Sequence, residues 1–492
     1  MKKREKIKQK FLVLISLLVG IFVPGTSAEA ARQRLVIRPY QNVTEVFTET
    51  MAENTDHKTD GKETDKIVSI SRNGTASSVE EAASSKENEN RTENINVDQK
   101  TVKESRRKRL GRKLKAAFSS LKNRKLIVKF RHERIAMMDP SSQMTVDFTS
   151  SELGEEGKDS YSVLRGPFDQ WLAEKAEEAG AEYICGIAVE ELIKDGSGRV
   201  TGVRAGDDEI TAEVVILAEG TNSMLSERCL GNARPRANQM AVGIKEVFEL
   251  PSDVIEDRFL LPEGEGAAML FVGDCTKGSV GGGFLYTNKE SISLGLVATI
   301  SLAADGSRNE VPVYQMLEDF KNHPAVAPII RGAKMVEHSG HMVPEGGYGM
   351  IPKYVFDGCL IAGETAGLCM NMGYQVRGMD FAVASGRMAA EAAVAAIDAG
   401  DTSAAGLAPY KAAMEGSFVI QDLRTFSKWP HVMEEWGSMF TDYPVMVKEV
   451  FNAMFSVDGA PQQPLMKRMK PIIKKRGMFK LGREVMKAVK AL

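Results

Sequence analysis

Two short apolar runs in this chain end in a turn that sets a carboxylate beside a glycine. Val214-Val215-Ile216-Leu217-Ala218 leads into Glu219-Gly220-Thr221-Asn222-Ser223, and Cys359-Leu360-Ile361-Ala362 leads into Gly363-Glu364-Thr365-Ala366-Gly367. Glycine at such a point allows close backbone approach to a ligand. The acidic side chain can accept from a sugar hydroxyl, and helix-start amides can face a phosphate. Two arginines stand at other helix starts: Arg165 before Gly166-Pro167-Phe168, and Arg377 in Arg377-Gly378-Met379-Asp380. Each turn alone is also what an ordinary strand-loop-helix connection produces, and Arg377 with Asp380 also reads as a local ion pair that caps a helix.

No side chain in the sequence stands out as an acid, base or nucleophile. His338 and His341 are three apart and could face one another, but a pair alone is a poor metal site and polar packing is the alternative. Cys369 reads as a small buried residue. The five cysteines are widely spaced, with no CxxC and no Cys/His run at zinc-ligand spacing. An iron-sulfur cluster needs about four thiolates at tight spacing, so the chain is expected to carry none. Thiols this sparse suit a reduced, cytosol-facing protein.

The elements that must position these residues follow from periodicity. Leu126 to Phe130 and Met144 to Phe148 read as strands, and Phe168 to Ala179 as an amphipathic helix ending at Gly180. A strand is expected at Glu182 to Cys185. An antiparallel meander follows over Val189 to Ile193, Val200 to Arg204 and Glu209 to Ala212. Val214 to Ala218 is continuous and apolar, as in a strand buried in a parallel sheet. From Met240 to His341, strand-like runs (Ala241 to Phe248, Gly283 to Tyr286, Ser291 to Ala298) and a helix near Val313 to Lys321 describe a mostly antiparallel domain. Cys359 to Ala362 returns to the first domain as a buried strand. A long alanine-rich helix runs from about Val376 to Ala399, and Pro409 to Asn452 is helical and Met-rich.

The chain has 492 residues, 43% hydrophobic and 26% charged, which excludes a wholly disordered, collagen-like or multi-spanning membrane protein. Its net charge of -2 is a cancellation, because Lys103 to Arg134 and Lys467 to Lys490 are strongly basic. Residues 1–30 are signal-like: a basic start, an apolar run from Phe11 to Val23, and Ala28-Glu29-Ala30 at the place of a cleavage site. This argues for export, against the thiol usage. Residues 31–125 comprise a polar linker too poor in apolar residues to fold, then a basic amphipathic helix with Leu110, Leu114, Phe118 and Leu121 on one face. That helix suits an anionic membrane surface or a solvated tail, and nothing supports a nucleic-acid role. In Leu465 to Leu492, apolar residues intersperse with the basic run and Pro471 and Gly477 divide it. An interfacial membrane contact and a solvated tail are both open there.

Taken in order, the two turns and Tyr161-Ser162-Val163-Leu164-Arg165-Gly166-Pro167-Phe168 resemble the glutathione-reductase-like FAD-dependent oxidoreductases. That superfamily includes geranylgeranyl reductases and electron-transfer-flavoprotein:quinone oxidoreductases, and the resemblance points to its FixC-like members. It runs from about Arg134 to Leu492 and includes Gly264-Glu265-Gly266-Ala267-Ala268-Met269, Gly281-Gly282-Gly283-Phe284-Leu285-Tyr286 and Gly373-Tyr374-Gln375-Val376-Arg377-Gly378-Met379-Asp380. The resemblance implies an α/β fold with an FAD-binding domain over 126–235 and 346–400, an inserted mainly antiparallel α+β substrate domain over 236–345, and a C-terminal helical region over 401–492. It also implies FAD as cofactor. Arg165 would contact the pyrophosphate, and Glu219 and Gly220 would belong to the turn beside the adenine-side phosphates. Gly363 and Glu364 would reach the ribityl chain, with Glu364 standing where the family more often has Asp. Arg377, Gly378 and Met379 would lie at the helix start whose dipole favours negative charge on reduced flavin.

The function implied is electron transfer from an electron-transfer flavoprotein, through FAD, to a quinone or a ferredoxin-like protein, at the cytoplasmic face of a membrane. The absence of acid, base and nucleophile agrees, since the cofactor carries the chemistry and the protein sets its position and potential. A prenyl double-bond reductase is the alternative within the class, and a non-catalytic relict the alternative outside it. The chain departs from the family in one respect. Such a fold opens with a strand and GxGxxG, and Met1 to Ser150 has no such pattern, its only glycines before Gly111 being Gly20, Gly25, Gly61 and Gly74. The expectation is an incomplete FAD fold lacking its first βαβ unit. A fusion or reading-frame replacement, a relict that binds FAD poorly, and completion by another chain would each explain it. The first is favoured, because completion in trans leaves the neighbours of a central strand exposed.

Overall fold

The computed structural model describes residues 127–155, 158, 160–303 and 311–492. The signal-like segment 1–30 and the linker and basic helix of 31–125 lie outside the described residues. Strands are numbered in chain order. The first seven are β1 Ile127–Asp139, β2 Ser142–Thr149, β3 Ser160–Val163, β4 Glu191–Lys194, β5 Val200–Ala205, β6 Asp208–Thr211 and β7 Val215–Leu217. There follow β8 Met240–Glu249, β9 Glu265–Gly273, β10 Gly281–Thr287, β11 Ser291–Thr299, β12 Lys334–Pro344, β13 Val355–Phe356, β14 Cys359–Ile361, β15 Met370–Asn371 and β16 Val376–Arg377.

The largest sheet has the order β12-β8-β11-β10-β9-β1-β2, with β3 pairing the first residues of β1. All its ladders are antiparallel except β1 with β9. Period-2 alternation explains its two faces. Phe271, Met269, Leu285, Ala136 and Met138 go into a dry core against Met316, Leu317 and Phe320 of the helix Val313–Asn322. The rings of Phe271 and Phe320 meet edge-on at 4.9 Å. Gly283 makes this approach possible, since a Cβ there would lie 2.8 Å from the Phe320 ring. This sheet corrects the expected domain boundary: residues 127–149 and 160–163 were assigned with the FAD-binding domain, but their backbone partners are in the antiparallel sheet. The continuous parallel ladder from β1 to β9 fixes them there.

The second core is built on a narrower sheet, β13-β14-β7, in which β14 and β7 are parallel. Beside it lies the expected meander β4-β5-β6. The helix Met379–Asp398 packs against it through Phe381, Ala384, Met388, Ala389, Ala392 and Ala396, and the alanines let the helix lie close. It starts three residues later than the sequence suggested, because Val376 and Arg377 pair with Met370 and Asn371 as a small hairpin. The expected helical stretch after Pro409 is realised as Ala408–Gly416, Phe418–Thr425, Trp429–Glu435 and Asp442–Phe455. Buried Tyr410 donates its hydroxyl to the Ile361 carbonyl at 2.9 Å, which anchors these helices to β14.

Three further expectations change. No strand forms at Glu182 to Cys185: residues 181–190 are irregular and exposed, because no neighbouring strand offers a ladder to that run. Val214 to Ala218 does form a parallel strand, but Ile216 is 38% exposed, since β7 pairs on one side only among the described residues. Pro471 does not break its segment. It sits inside the helix Leu465–Lys475, where burial of Met469 and Ile473 on either side outweighs the lost hydrogen bond.

Candidate functional site

The parallel pair β7 and β14 brings the two sequence-distant turns side by side at the carboxyl ends of the strands, the place where open α/β sheets bind ligands. The Ala362 amide donates to the Leu217 carbonyl at 3.0 Å. Beyond that point side chains continue the junction. Thr221 Oγ1 donates to Glu364 at 2.8 Å, and Thr365 Oγ1 to the Gly220 carbonyl at 3.2 Å. Gly363 takes φ +65, a conformation in which a β-carbon would be strained. Its amide donates to Ser385 Oγ at 3.0 Å, fixing the turn on the long helix. A shallow groove here is lined by Thr221, Asn222, Arg234, Met350 and Glu364.

Glu364 is the hub. Besides Thr221 it meets His341 Nε2 at 3.2 Å, so β12 of the large sheet reaches the same point. His341 does not face His338. Residues three apart on a strand point to opposite faces, and His338 Nδ1 instead lies 3.0 Å from the buried Glu246. Arg165 stands at the start of the helix Arg165–Glu178, where Asp169 is its main partner at 2.9 Å. That contact holds its guanidinium firmly charged, with the field of Glu364 adding to it. Phe168 and Trp171 of this helix pack on Met379, so Arg165, Glu364 and Met379 share one region.

Two expected site residues are otherwise engaged. Both carboxylate oxygens of Glu219 accept from backbone amides, those of Leu225 and Ser226, at 3.0 Å each. It thereby caps the helix Met224–Leu230. Arg377 donates to Asp380 at 2.7 Å and to Asp422 at 2.5 Å, and lies over the rings of Phe381 and Phe418. The local ion pair read from the sequence is therefore present. Gly378 is the N-cap of Met379–Asp398 and offers no side-chain cap, and a β-carbon there would lie 3.9 Å from Glu364 Oε1, so this helix start adjoins the Gly363-Glu364 turn.

Sequence reasoning named Thr221 and His341 without placing them beside Glu364, and missed Glu345. Burial raises the Glu345 carboxyl above the usual range, while Asn371 at 2.9 Å and Thr299 act the other way. Thr221 adjoins Gly220 and could have been found there. Strand parity alone would have separated His341 from His338. Cys369 is buried as expected, and burial pushes its thiol far up, with Glu364 and Glu345 adding to the effect. Glu133 is a second hidden carboxyl. It lies across from Phe148 and Ala268 on β1, and burial pushes it to about 7. No cluster of three or more potential metal ligands occurs among the described residues.

The fold and this junction define an FAD-dependent oxidoreductase. A family model described as FAD dependent oxidoreductase matches residues 166–392, and one described as the ETF-QO/FixC family C-terminal domain matches 429–492. The chain is 46% identical over 365 residues to the probable electron transfer flavoprotein-quinone oxidoreductase YdiS of Escherichia coli, covering 74% of this chain and 84% of that protein. It is 45% identical over 361 residues to protein FixC of Escherichia coli, covering 73% and 83%. Protein FixC of Bradyrhizobium diazoefficiens is 38% identical over 352 residues, covering 69% and 80%. A crystal structure of a geranylgeranyl bacteriochlorophyll reductase-like protein from Thermoplasma acidophilum has the same fold at TM-score 0.51 and 18% identity, covering 73% of this chain and 84% of that one. The chain belongs to the ETF-QO/FixC family of electron-transfer oxidoreductases.

FAD is the cofactor of this family, and half of the site fits it. Gly363, Glu364 and the open first turn at Gly378 and Met379 can receive a hydroxylated chain and a ring that gains negative charge. The adenine side does not fit. The amides at Leu225 and Ser226, the helix start nearest Gly220, already face the Glu219 carboxylate, which would repel a phosphate. No GxGxxG occurs anywhere in the 492 residues.

Proposed function

We propose that this chain accepts electrons from an electron-transfer flavoprotein and passes them to a quinone or a ferredoxin-like acceptor. The observation that carries the reading is the 46% identity over 365 residues to a probable electron transfer flavoprotein-quinone oxidoreductase. FAD, when bound, supplies the redox chemistry. The protein's part is then to orient the cofactor: Arg165 toward the pyrophosphate, Glu364 and Gly363 toward the ribityl hydroxyls, and the helix start at Gly378 and Met379 toward the ring. Arg377, pinned by Asp380 and Asp422, acts by holding that helix start in place. The incomplete first βαβ unit belongs to this reading, as do Glu219 and Gly220 as the wall of the adenine side rather than its cradle.

An apolar acceptor suits the large sheet. The face away from its dry core presents the half-buried Ile135, Leu270, Phe284 and Tyr286, with Phe284 and Tyr286 stacked at 5.3 Å. A membrane surface suits the C-terminal helix Met478–Val489, where exposed Phe479, Met486 and Val489 lie among Arg483, Lys487 and Lys490. No helix of the described residues is long and apolar enough to cross a membrane. The test is reduction of the FAD-loaded protein by a reduced electron-transfer flavoprotein, followed by addition of ubiquinone or a geranylgeranyl lipid. Quinone reduction is the expected result. A loaded protein that ignores the flavoprotein donor and saturates the prenyl double bond would replace this reading with the prenyl-reductase one.

A further inference from the structure

We propose that Glu133 selects the electron acceptor: a carboxyl on the apolar face of the large sheet, it hydrogen-bonds a carbonyl oxygen of a quinone and hands that oxygen a proton on reduction. The inference rests on the acceptor reading above and assigns a residue to it.

Backbone register fixes where this side chain lies. Glu133 is flanked by Phe148 on β2 and Ala268 on β9, and the same row continues through Tyr286 on β10, Ser293 on β11, Val247 on β8 and Glu337 on β12. Cross-strand partners point to one face. Glu337 is four residues before His341 on the same strand, so Glu133 shares the face from which His341 reaches Glu364, about 13 Å further along. Between the two rows lie Ile135, Leu270 and Phe284, paired in register. The Phe284 ring leans flat over Gly295, where a β-carbon would fall 2.6 Å from it. Tyr286 stacks on Phe284 at 5.3 Å and Phe130 on Tyr286 at 6.1 Å. The result is a planar apolar floor with one carboxyl set into it.

That carboxyl has no hydrogen-bond or ion-pair partner among the described residues, and burial alone pushes it to about 7. The charged groups on the elements around it are engaged with one another. Arg134 pairs with Asp147 on the opposite face, Arg131 and His132 meet Glu265, Lys245 pairs with Glu337, and Lys448 of the helix Asp442–Phe455 holds Asp139. A half-buried acid without a partner is an unused donor, and such groups mark a place for a ligand or for chemistry. The ligand that satisfies it is a flat apolar ring with a carbonyl oxygen at its rim. A prenyl double bond has no oxygen to accept and would leave the donor unpaired.

Reduction then balances. The quinone takes two electrons by way of the cofactor. One proton passes from Glu133 to the carbonyl oxygen it holds, the second comes from water at the other oxygen, and hydroquinone leaves. The Glu133 carboxylate regains its proton from water.

The experiment compares the full chain with Glu133→Gln and Glu133→Leu. Binding of a water-soluble ubiquinone analogue is first measured on the unloaded proteins by quenching of tryptophan fluorescence. Glu133→Leu should bind about tenfold more weakly, the loss of one hydrogen bond, while Glu133→Gln keeps a donor and most of the affinity. The FAD-loaded proteins are then reduced chemically, which bypasses the flavoprotein donor, and reoxidised by the analogue from about pH 5 to about pH 9. The parent rate should fall as pH rises through about 7, where Glu133 loses its proton. The glutamine variant should be slower by about a hundredfold at the acid end and lack that fall. Ferricyanide, which takes an electron without a proton, should reoxidise all three proteins equally, as a purely structural role for Glu133 would not predict. Quinone reduction by the parent with both variants matching its affinity and pH profile would overturn the proposal and leave the acceptor reading standing. A parent that reacts with ferricyanide and ignores quinone would remove the acceptor reading and the proposal with it.

Discussion

The two sheets of this molecule solve the same problem to different extents. In the large sheet every strand between the edges is paired on both sides, and the helix Val313–Asn322 closes one face with Met316, Leu317 and Phe320. In the small sheet the helices beyond Met379 cover one side well, while among the described residues β7 pairs on one side only and Ile216 is 38% exposed. The difference separates the sheet that supplies stability from the one that carries the candidate site. A sheet that completes its own ladders stores stability, whereas the one that carries the candidate turns has, among the described residues, a strand paired on one side only.

That contrast is broken most severely from the large sheet. Phe320→Ala would empty a fully buried ring site against Phe271 and Gly283. It should cost about 3–5 kcal/mol in a denaturant titration. Glu133→Gln tests the same sheet from its other face. Burial raises this carboxyl from 4.5 to about 7 in the folded protein. The folded state therefore holds the extra proton between those values, and stability falls as pH rises through the window. The glutamine variant should be the more stable by about 3 kcal/mol at pH 8 and nearly equal to the parent at pH 4, read by denaturation at the two pH values.

The small sheet should respond more weakly. Glu219→Ala removes the cap from Met224–Leu230 and should cost about 1–2 kcal/mol in thermal unfolding. The smallest effect belongs to the irregular run. Ile184→Ser should change the stability of the chain alone by less than about 0.5 kcal/mol, because Ile184 is 45% exposed in an irregular run. A large loss there would mean that 182–189 is already paired, and the contrast between the sheets would disappear.

Much of the site was legible because its signals are local. A continuous apolar run followed by glycine and an acid marks the end of a buried strand, and both such turns are where the sequence put them, joined by β7 and β14. The basic and apolar spacing of the C-terminal helices was equally local. The misreadings involved pairing partners. Glu182 to Cys185 has strand propensity, but a strand exists only with a neighbour. Residues 127–149 were placed in the wrong layer because nothing in their own alternation shows that β9 lies alongside.

The sequence by itself determined the family, the cofactor class and the position of the two glycine-acid turns, since residue type and order along the chain are enough to specify a strand end, a tight turn and a helix start. Only the tertiary structure decided what those side chains do. Glu219 turned inward to cap a helix, and Glu364 became the meeting point of Thr221 and His341. A side chain's partner depends on which distant strand arrives beside it, and that is settled by packing and backbone pairing across hundreds of residues rather than by its neighbours in sequence.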